Sequence, residues 1–198
     1  MPLSRVELPH IRRALSPDAE PPRPGQDGKH AAVAAVLRAG PTGAEVLLIR
    51  RAEHERDPWS GHMAFPGGRF DPEDAHLLAT ARRETLEEVG LDLERSAELL
   101  GALEPLPAVA RGRRVGLTIA PFVFELLGSV ELRPNHEVVE ALWAPLSGLA
   151  RGEGRAKVDY VLDGQKLELP AWDVEGRVVW GLTYRMLDSL LERVRASR

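Results

Sequence analysis

The sequence contains no cysteine among its 198 residues. Without cysteine, the chain can form neither disulfide bonds nor metal sites with thiolate ligands. Because stable disulfides belong to oxidising compartments, their absence is compatible with a protein of a reducing compartment. Any metal site must therefore use oxygen or imidazole ligands.

Long hydrophobic runs are also missing. No apolar segment approaches the ~20 residues that a membrane-spanning helix requires, and the first residues, MPLSRVELPHIRR, lack the apolar centre of a signal peptide. The formal net charge of -4 gives no reason to expect binding to nucleic acid or to an anionic membrane, although it is compatible with a nucleotide ligand. We therefore expect a cytoplasmic protein.

Asparagine occurs only once, at position 135, and arginine greatly outnumbers lysine. Depletion of thermolabile amides is typical of heat-adapted proteins. A GC-rich genome produces the same bias, so both explanations stay open.

The length and the 43% hydrophobic content suit one domain with a sizeable core. Residues 3–16 are predicted to form a short helix, and the proline-rich stretch 17–25 interrupts regular structure. We therefore divide the chain into an N-terminal helix and proline-rich leader, residues 1–29, and a main domain, residues 30–198.

Apolar periodicity predicts the elements of the main domain. The predicted strands are 31–38, 45–51, 62–65, 97–103, 115–127 and 138–143. The predicted helices are 77–89, capped by Gly90, a turn at 145–150 and a closing helix at 180–195. Residues 111–114, 152–154 and 163–164 are predicted turns. Strands on both sides of a central helix indicate an α/β fold with a mixed sheet between helices.

Three glutamates crowd one face of the central predicted helix. Glu84, Glu87 and Glu88 stand at positions i, i+3 and i+4, where like charges destabilise a helix by a few tenths of a kcal/mol per pair. Mg²⁺ prefers oxygen ligands and phosphate partners, and the preceding Gly67-Gly68 pair permits close backbone approach. Spacing alone leaves two readings open: a metal–phosphate site, or an acidic surface helix with one internal ion pair to Arg83.

The flanking residues resemble the signature of the Nudix hydrolases, G-x5-E-x7-R-E-U-x-E-E-x-G-U, in which U is aliphatic. The residues that fall in place are Arg83, Glu84, Glu87, Glu88, Gly90 and Leu91. Thr85 stands where an aliphatic residue is usual, Asp74 replaces the first glutamate, and eight residues rather than seven separate it from Arg83. The resemblance implies the Nudix fold, an α/β/α sandwich with a mixed β-sheet between helices.

The extra residue and the aspartate are similar to the coenzyme A pyrophosphatase branch of that family. Its upstream pattern, L-L-T-x-R-[SA]-x3-R-x3-G-x3-F-P-G-G, resembles residues 47–68, with Arg51 and Arg56 at its arginine positions. Ile49 replaces the threonine, and the segment 57–60 is one residue too long. Residues 135–138, 143–146 and 180–183 also resemble this branch.

The resemblance implies hydrolysis of a small nucleoside diphosphate derivative by metal-assisted attack of water. The first candidate substrate is coenzyme A or a derivative, which would give 3',5'-ADP and 4'-phosphopantetheine. The alternatives are ADP-ribose, a dinucleotide or a nucleoside triphosphate. A different class is a Nudix-fold binding protein without catalysis. The family also suggests a homodimer.

Site roles follow from the same resemblance, position by position. Mg²⁺ or Mn²⁺ would be bound by Glu84, Glu87, Glu88 and the carbonyl of Gly68. The expected catalytic residues are Glu84, Glu87, Arg83 and Glu137, where Arg83 orients carboxylates and Glu140 is a second candidate for the base. Arg51, Arg56 and Gly67 are expected to bind substrate, and Asp74 to hold the loop.

Overall fold

The computed structural model describes residues 5–16, 29–55, 59–110, 113–162 and 165–197. Its helices are α1 (Leu8–Ala14), α2 (Leu77–Val89), α3 (Leu93–Ser96), α4 (Leu146–Arg151) and α5 (Gly181–Ala196). Its strands are β1 (Lys29–Gly40), β2 (Gly43–Arg51), β3 (Met63–Ala64), β4 (Gly67–Arg69), β5 (Ala97–Ala102), β6 (Leu106–Ala110), β7 (Arg113–Leu126), β8 (Val138–Pro145), β9 (Arg155–Leu162), β10 (Gln165–Val174) and β11 (Arg177–Trp180). Within the described ranges, no helix has the length and apolar character needed to cross a membrane.

The main sheet is mixed. Its central path runs β3-β2-β1-β7-β5, while β4 pairs with β1, β6 with β7 and β8 with β2. Strands β1 and β7 are parallel, and the other pairs are antiparallel. Strands β9, β10 and β11 form a separate antiparallel sheet.

Alternate residues of the central strand β1 face two different cores. Ala34 and Val36 contact the core under α2, whereas Ala35 and Leu37 contact the core under α1 and α5. A strand buried on both faces must be apolar throughout, which explains the continuous hydrophobic run of residues 31–37. The sheet therefore lies between helices, and the predicted α/β fold is confirmed.

The N-terminal helix is shorter than predicted and is packed into the core. Ile11 of α1 is fully buried against the helix α5 side of the sheet. Before α1, the backbone N–H of Val6 donates to Oγ of Ser147, and the carbonyl of Val6 accepts from the N–H of Ala44. The segment before residue 17 is thus bound to the β1–β2 turn and to α4.

The sequence patterns missed β6 and the three-stranded sheet of β9, β10 and β11. Residues of β9 and of the first part of β10 alternate between exposed and partly buried positions, so their apolar signal is weak and their order depends on pairing with a neighbour. Strands β6 and β11 are only 5 and 4 residues long. The predicted turn at 152–154 is confirmed. The predicted turn at 163–164 lies outside the described residues, as do residues 111–112 of the predicted turn at 111–114. Residues 113–114 of that turn were predicted wrongly, because they pair with β6 as the start of β7.

Candidate active site

Helix α2 carries most of the candidate carboxylates, and hydrogen bonds fix both of its ends. The Nδ1 atom of His76 accepts a hydrogen bond of 3.0 Å from the backbone N–H of Ala79. At the other end, Gly90 adopts the left-handed conformation with φ of 69°, and its N–H donates to the carbonyl of Leu86. The predicted helix 77–89 and its glycine cap are confirmed.

Glu88 is a buried carboxylate, with 2% of its surface exposed. Its Oε2 atom accepts a hydrogen bond of 2.8 Å from the backbone N–H of Gly67, and its Oε1 atom lies 3.6 Å from Nη1 of Arg51. Burial raises the pKa of Glu88 to about 7, and the bond from Gly67 and the charge of Arg51 oppose this rise. The charges of Glu84 and Glu137 raise the pKa further.

Glu84 lies directly against the backbone of Gly68. A Cβ atom on Gly68 would overlap the Glu84 carboxyl group, so only glycine leaves room for it. Burial is the largest cause of a raised pKa at Glu84, and Arg83 lowers it. The charges of Glu87 and Glu137 add to the rise. The site therefore concentrates negative charge that its own cations offset only in part.

Arg83 connects the loop after β4 with the carboxylates of α2. Its Nε and Nη2 atoms donate to the two carboxylate oxygens of Asp74 at 2.9 and 3.0 Å. Its Nη1 atom donates to Glu84 at 2.9 Å and to Glu87 at 3.3 and 3.4 Å. Nη2 also donates to the carbonyl of Arg69. One guanidinium thus orients two of the three clustered glutamates.

Asp74 reaches Arg83 despite the extra residue between them. Its Oδ2 atom also accepts hydrogen bonds from the hydroxyl of Thr80 at 2.8 Å and from the backbone N–H of Asp71 at 3.1 Å. The hydrogen bond from Arg83 is the main cause that lowers the pKa of Asp74 to about 2. The sequence did not indicate Thr80, although its place one helical turn before Arg83 is a usable signal.

Glu137 lies on the connection between β7 and β8, which is held against the end of α2. The backbone N–H of Arg133 donates to the carbonyl of Val89 at 2.8 Å, and that of Asn135 to the carbonyl of Glu88 at 2.9 Å. These bonds satisfy carbonyls that a helix end leaves without intrahelical partners. The side chain of Glu137 is 58% exposed. The fold thus brings Glu137 near enough to α2 for its charge to raise the pKa of Glu84 and Glu88.

Glu140, the second candidate for the base, has a different environment. It is paired with Arg50 in the β2–β8 register, and its carboxylate accepts hydrogen bonds from the guanidinium of Arg177 on β11. Arg177 lowers the pKa of Glu140. A carboxylate held in this way is a weaker proton acceptor, so the geometry favours Glu137 over Glu140.

Two of the three residues expected to bind substrate fall within the described ranges. Arg51 is beside Glu88, at the edge of the carboxylate group. The N–H of Gly67 is bound to Glu88, and a Cβ on Gly67 would lie 2.6 Å from Cα of Val33. Gly67 therefore contributes by holding a carboxylate next to β1. Arg56 lies outside the described residues.

The residues of the site fit a hard divalent cation. Carboxylate oxygens of Glu84, Glu87 and Glu88 and the carbonyl of Gly68 are the donors that Mg²⁺ and Mn²⁺ prefer. In the described part of the chain, no three acidic or histidine side chains already converge as a metal site. Glu84 is paired with Arg83, and Glu88 accepts a hydrogen bond from the N–H of Gly67. Burial is the main cause of the raised pKa values of Glu84 and Glu88, and neighbouring carboxylates add to the rise. A cation bound here would stabilise the charged form of both groups.

The model of the NUDIX domain family matches residues 28–163. The chain belongs to the Nudix family. A Yersinia enterocolitica protein described as the uncharacterized Nudix hydrolase NudL is 32% identical over 179 residues, which cover 87% of both chains. An uncharacterized Schizosaccharomyces pombe protein is 41% identical over 116 residues, and the match spans 57% of this chain but only 35% of that protein. The family and the NudL relatives identify a Nudix hydrolase, which acts on phosphoric anhydrides.

Solved structures share the Nudix fold at low sequence identity. A MutT/nudix family protein from Enterococcus faecalis has a TM-score of 0.53 and 18% identity, and the match covers 88% of this chain and 63% of that one. The NUDIX domain of Shewanella oneidensis NrtR, determined in complex with ADP-ribose, has a TM-score of 0.51 and 18% identity. The match covers 87% of this chain and 89% of that one. At this identity the likeness shows the fold alone.

Proposed function

We propose that this Nudix hydrolase cleaves the diphosphate bond of coenzyme A or one of its derivatives. The products would be 3',5'-ADP and 4'-phosphopantetheine or its derivative. The observation that carries diphosphate hydrolysis is the placement of Glu88 and Glu84 against the backbone of the Gly67-Gly68 turn. The choice of coenzyme A is supported by residues 47–68, which resemble the pattern of the coenzyme A pyrophosphatase branch.

In this proposal Glu84, Glu87 and Glu88, with the carbonyl of Gly68, would hold Mg²⁺ or Mn²⁺. When bound, such an ion offsets charge on the diphosphate oxygens and lowers the pKa of water. Arg83 orients the carboxylates of Glu84 and Glu87 through the hydrogen bonds described above.

The reaction adds one water molecule across the diphosphate. The water oxygen forms a bond to one phosphorus, and the bond from that phosphorus to the bridging oxygen breaks, with the electron pair leaving on the second phosphate. The carboxylate of Glu137 accepts the proton of the attacking water, because its charge lies near Glu84 and Glu88 while its side chain stays open to solvent. Arg51, beside Glu88, contacts phosphate oxygens.

ADP-ribose is the second candidate substrate. It is supported by the two departures from the upstream pattern, at Ile49 and in residues 57–60. Both substrates present a diphosphate attached to adenosine, so the same carboxylates would serve either. A dinucleotide or a nucleoside triphosphate would require the same groups.

A substrate panel tests the proposal. Coenzyme A, ADP-ribose, diadenosine tetraphosphate and ATP are incubated with Mg²⁺ or Mn²⁺, and the products are separated by chromatography. Coenzyme A is expected to give the highest kcat/KM, while Glu84→Gln is inactive and Glu94→Gln, exposed on α3, behaves as wild type. Turnover of ADP-ribose without turnover of coenzyme A would refute the substrate, and no turnover of any diphosphate would refute catalysis.

A further inference from the structure

We propose that Asn135 is a positioning residue that sets the place of the Glu137 carboxylate relative to Glu88. The inference rests on the proposed function, in which Glu137 accepts the proton of the attacking water. It adds Asn135 to that site, a residue to which the sequence patterns assigned no role.

Asn135 connects the two carboxylate residues through two hydrogen bonds, and a third joins it to Val138. Its backbone N–H donates to the carbonyl of Glu88 at 2.9 Å. Its side-chain Oδ1 atom accepts a hydrogen bond of 2.8 Å from the backbone N–H of Glu137, and its own carbonyl accepts one from Val138 at 3.2 Å. One residue therefore spans the distance from α2 to the proposed base.

The position of Glu137 depends on its backbone. Its side chain is 58% exposed, so packing does little to hold the carboxylate in place. The carbonyl of Glu137 accepts a hydrogen bond of 2.7 Å from the N–H of Ala52, at the end of β2. The N–H of Glu137 is held from the other side by Asn135. Loss of the Asn135 side chain would leave only one of these two restraints.

The chemistry of the turn explains why asparagine suits this position. A short side chain with an acceptor oxygen closes a turn onto the N–H two residues later. Aspartate keeps such an oxygen, whereas alanine does not. This is also the only asparagine of the chain, so the turn retains an amide in a sequence that is otherwise poor in amides.

A double-mutant cycle distinguishes positioning of Glu137 from general support of the fold. The four proteins are wild type, Asn135→Ala, Glu137→Gln and the double variant, assayed on the fastest substrate of the panel. We expect kcat to fall about tenfold in Asn135→Ala and ~10²-fold in Glu137→Gln, with KM within about twofold. The double variant is expected to match Glu137→Gln, because a residue that acts through Glu137 has no effect once that carboxylate is gone.

Two further measurements complete the test. The first, hydrogen exchange, does not depend on turnover, and the second asks whether Asn135→Asp restores activity. Hydrogen exchange of the Glu137 amide is expected to be about tenfold faster in Asn135→Ala and close to wild type in Asn135→Asp. Asn135→Asp should also keep kcat within about threefold of wild type. Glu131→Gln, an exposed change in the same connection, is the matched control and should leave kcat and exchange unchanged.

Additive losses in the double variant would overturn the proposal, as would a wild-type kcat in Asn135→Ala. Full activity of Glu137→Gln, with Glu84→Gln and Glu88→Gln inactive, would also overturn it while leaving the proposed function intact. Full activity of Glu84→Gln and Glu88→Gln would instead refute the proposed site itself.

Discussion

The carboxyl group of Glu84 occupies the space that a side chain on Gly68 would need, since a Cβ atom there would lie 2.5 and 2.6 Å from its two oxygens. Gly68→Ala should therefore displace Glu84 without opening the core. We expect kcat to fall at least ~10-fold, comparable to the loss of one well-placed electrostatic contact, while the unfolding temperature changes by a few degrees at most. Steady-state kinetics and thermal unfolding check both values.

The neighbouring glycine provides the contrast. Gly67 has φ of 151°, and a Cβ on it would overlap the carbonyl of Ala32 and lie within 2.8 Å of a side-chain carbon of Val33. Gly67→Ala should therefore destabilise the fold as well as the site. Equal stability losses in Gly67→Ala and Gly68→Ala would contradict this distinction.

Glu84→Gln and Glu88→Gln keep the size of the side chains and remove the negative charge. Each is expected to lower turnover by at least ~10²-fold, because the proposed cation loses a charged ligand. Mn²⁺ affinity, followed by electron paramagnetic resonance, should fall in parallel. Near-normal activity in both variants would show that these carboxylates do not bind the metal.

Asp74→Asn tests the ion pair that holds the loop before α2. The folded pKa of Asp74, about 2, lies below its ordinary value of 3.8, so the stabilisation is complete above the ordinary value and is lost as the pH falls toward 2. At neutral pH the variant should lose about 2 kcal/mol of unfolding free energy. Urea denaturation at several pH values measures this difference.

The difference between wild type and Asp74→Asn should shrink steadily as the pH falls from about 4 to 2. Glu73→Gln, an exposed change in the same loop, is the control and should leave stability unchanged at every pH. A deficit in Asp74→Asn that persists unchanged in acid would contradict the ion-pair explanation.

Ile11→Ala tests the packing of α1 against the core. Ile11 is fully buried, so its truncation should cost about 2–5 kcal/mol of unfolding free energy. Turnover by the folded protein should stay at the wild-type value, because α1 and α2 lie on opposite faces of the sheet. Arg13→Ala, exposed on the same helix, should change stability little.

Sequence reasoning worked best where the local pattern fixes the structure. Helix 77–89 has a clear apolar face and a glycine that caps it, and both are as predicted. Strands β9 and β10 were not predicted, because Lys157, Asp159 and Glu168 interrupt them and their order depends on pairing across the hairpin.

In the site, too, local features could be predicted and contacts between distant segments could not. The spacing of the glutamates was readable because a helix places positions i, i+3 and i+4 on one face. The hydrogen bond from Gly67 to Glu88 was not readable, because it joins segments that are distant in sequence. Glu137 was expected from the family resemblance and not from spacing, since it too is distant in sequence from α2. The choice between Glu137 and Glu140 likewise required the position of Arg177, on a strand that the sequence did not predict.

The family match spans residues 28–163, but the hydrophobic core includes residues before and after this range. Ile11 precedes the matched region, Leu187 and Leu190 follow it, and all three lie in one cluster beneath the sheet. The segment that the family model matches is therefore smaller than the segment whose side chains form the core. A chain cut at the family boundaries would keep the complete glutamate signature and lose one face of the sandwich that supports it.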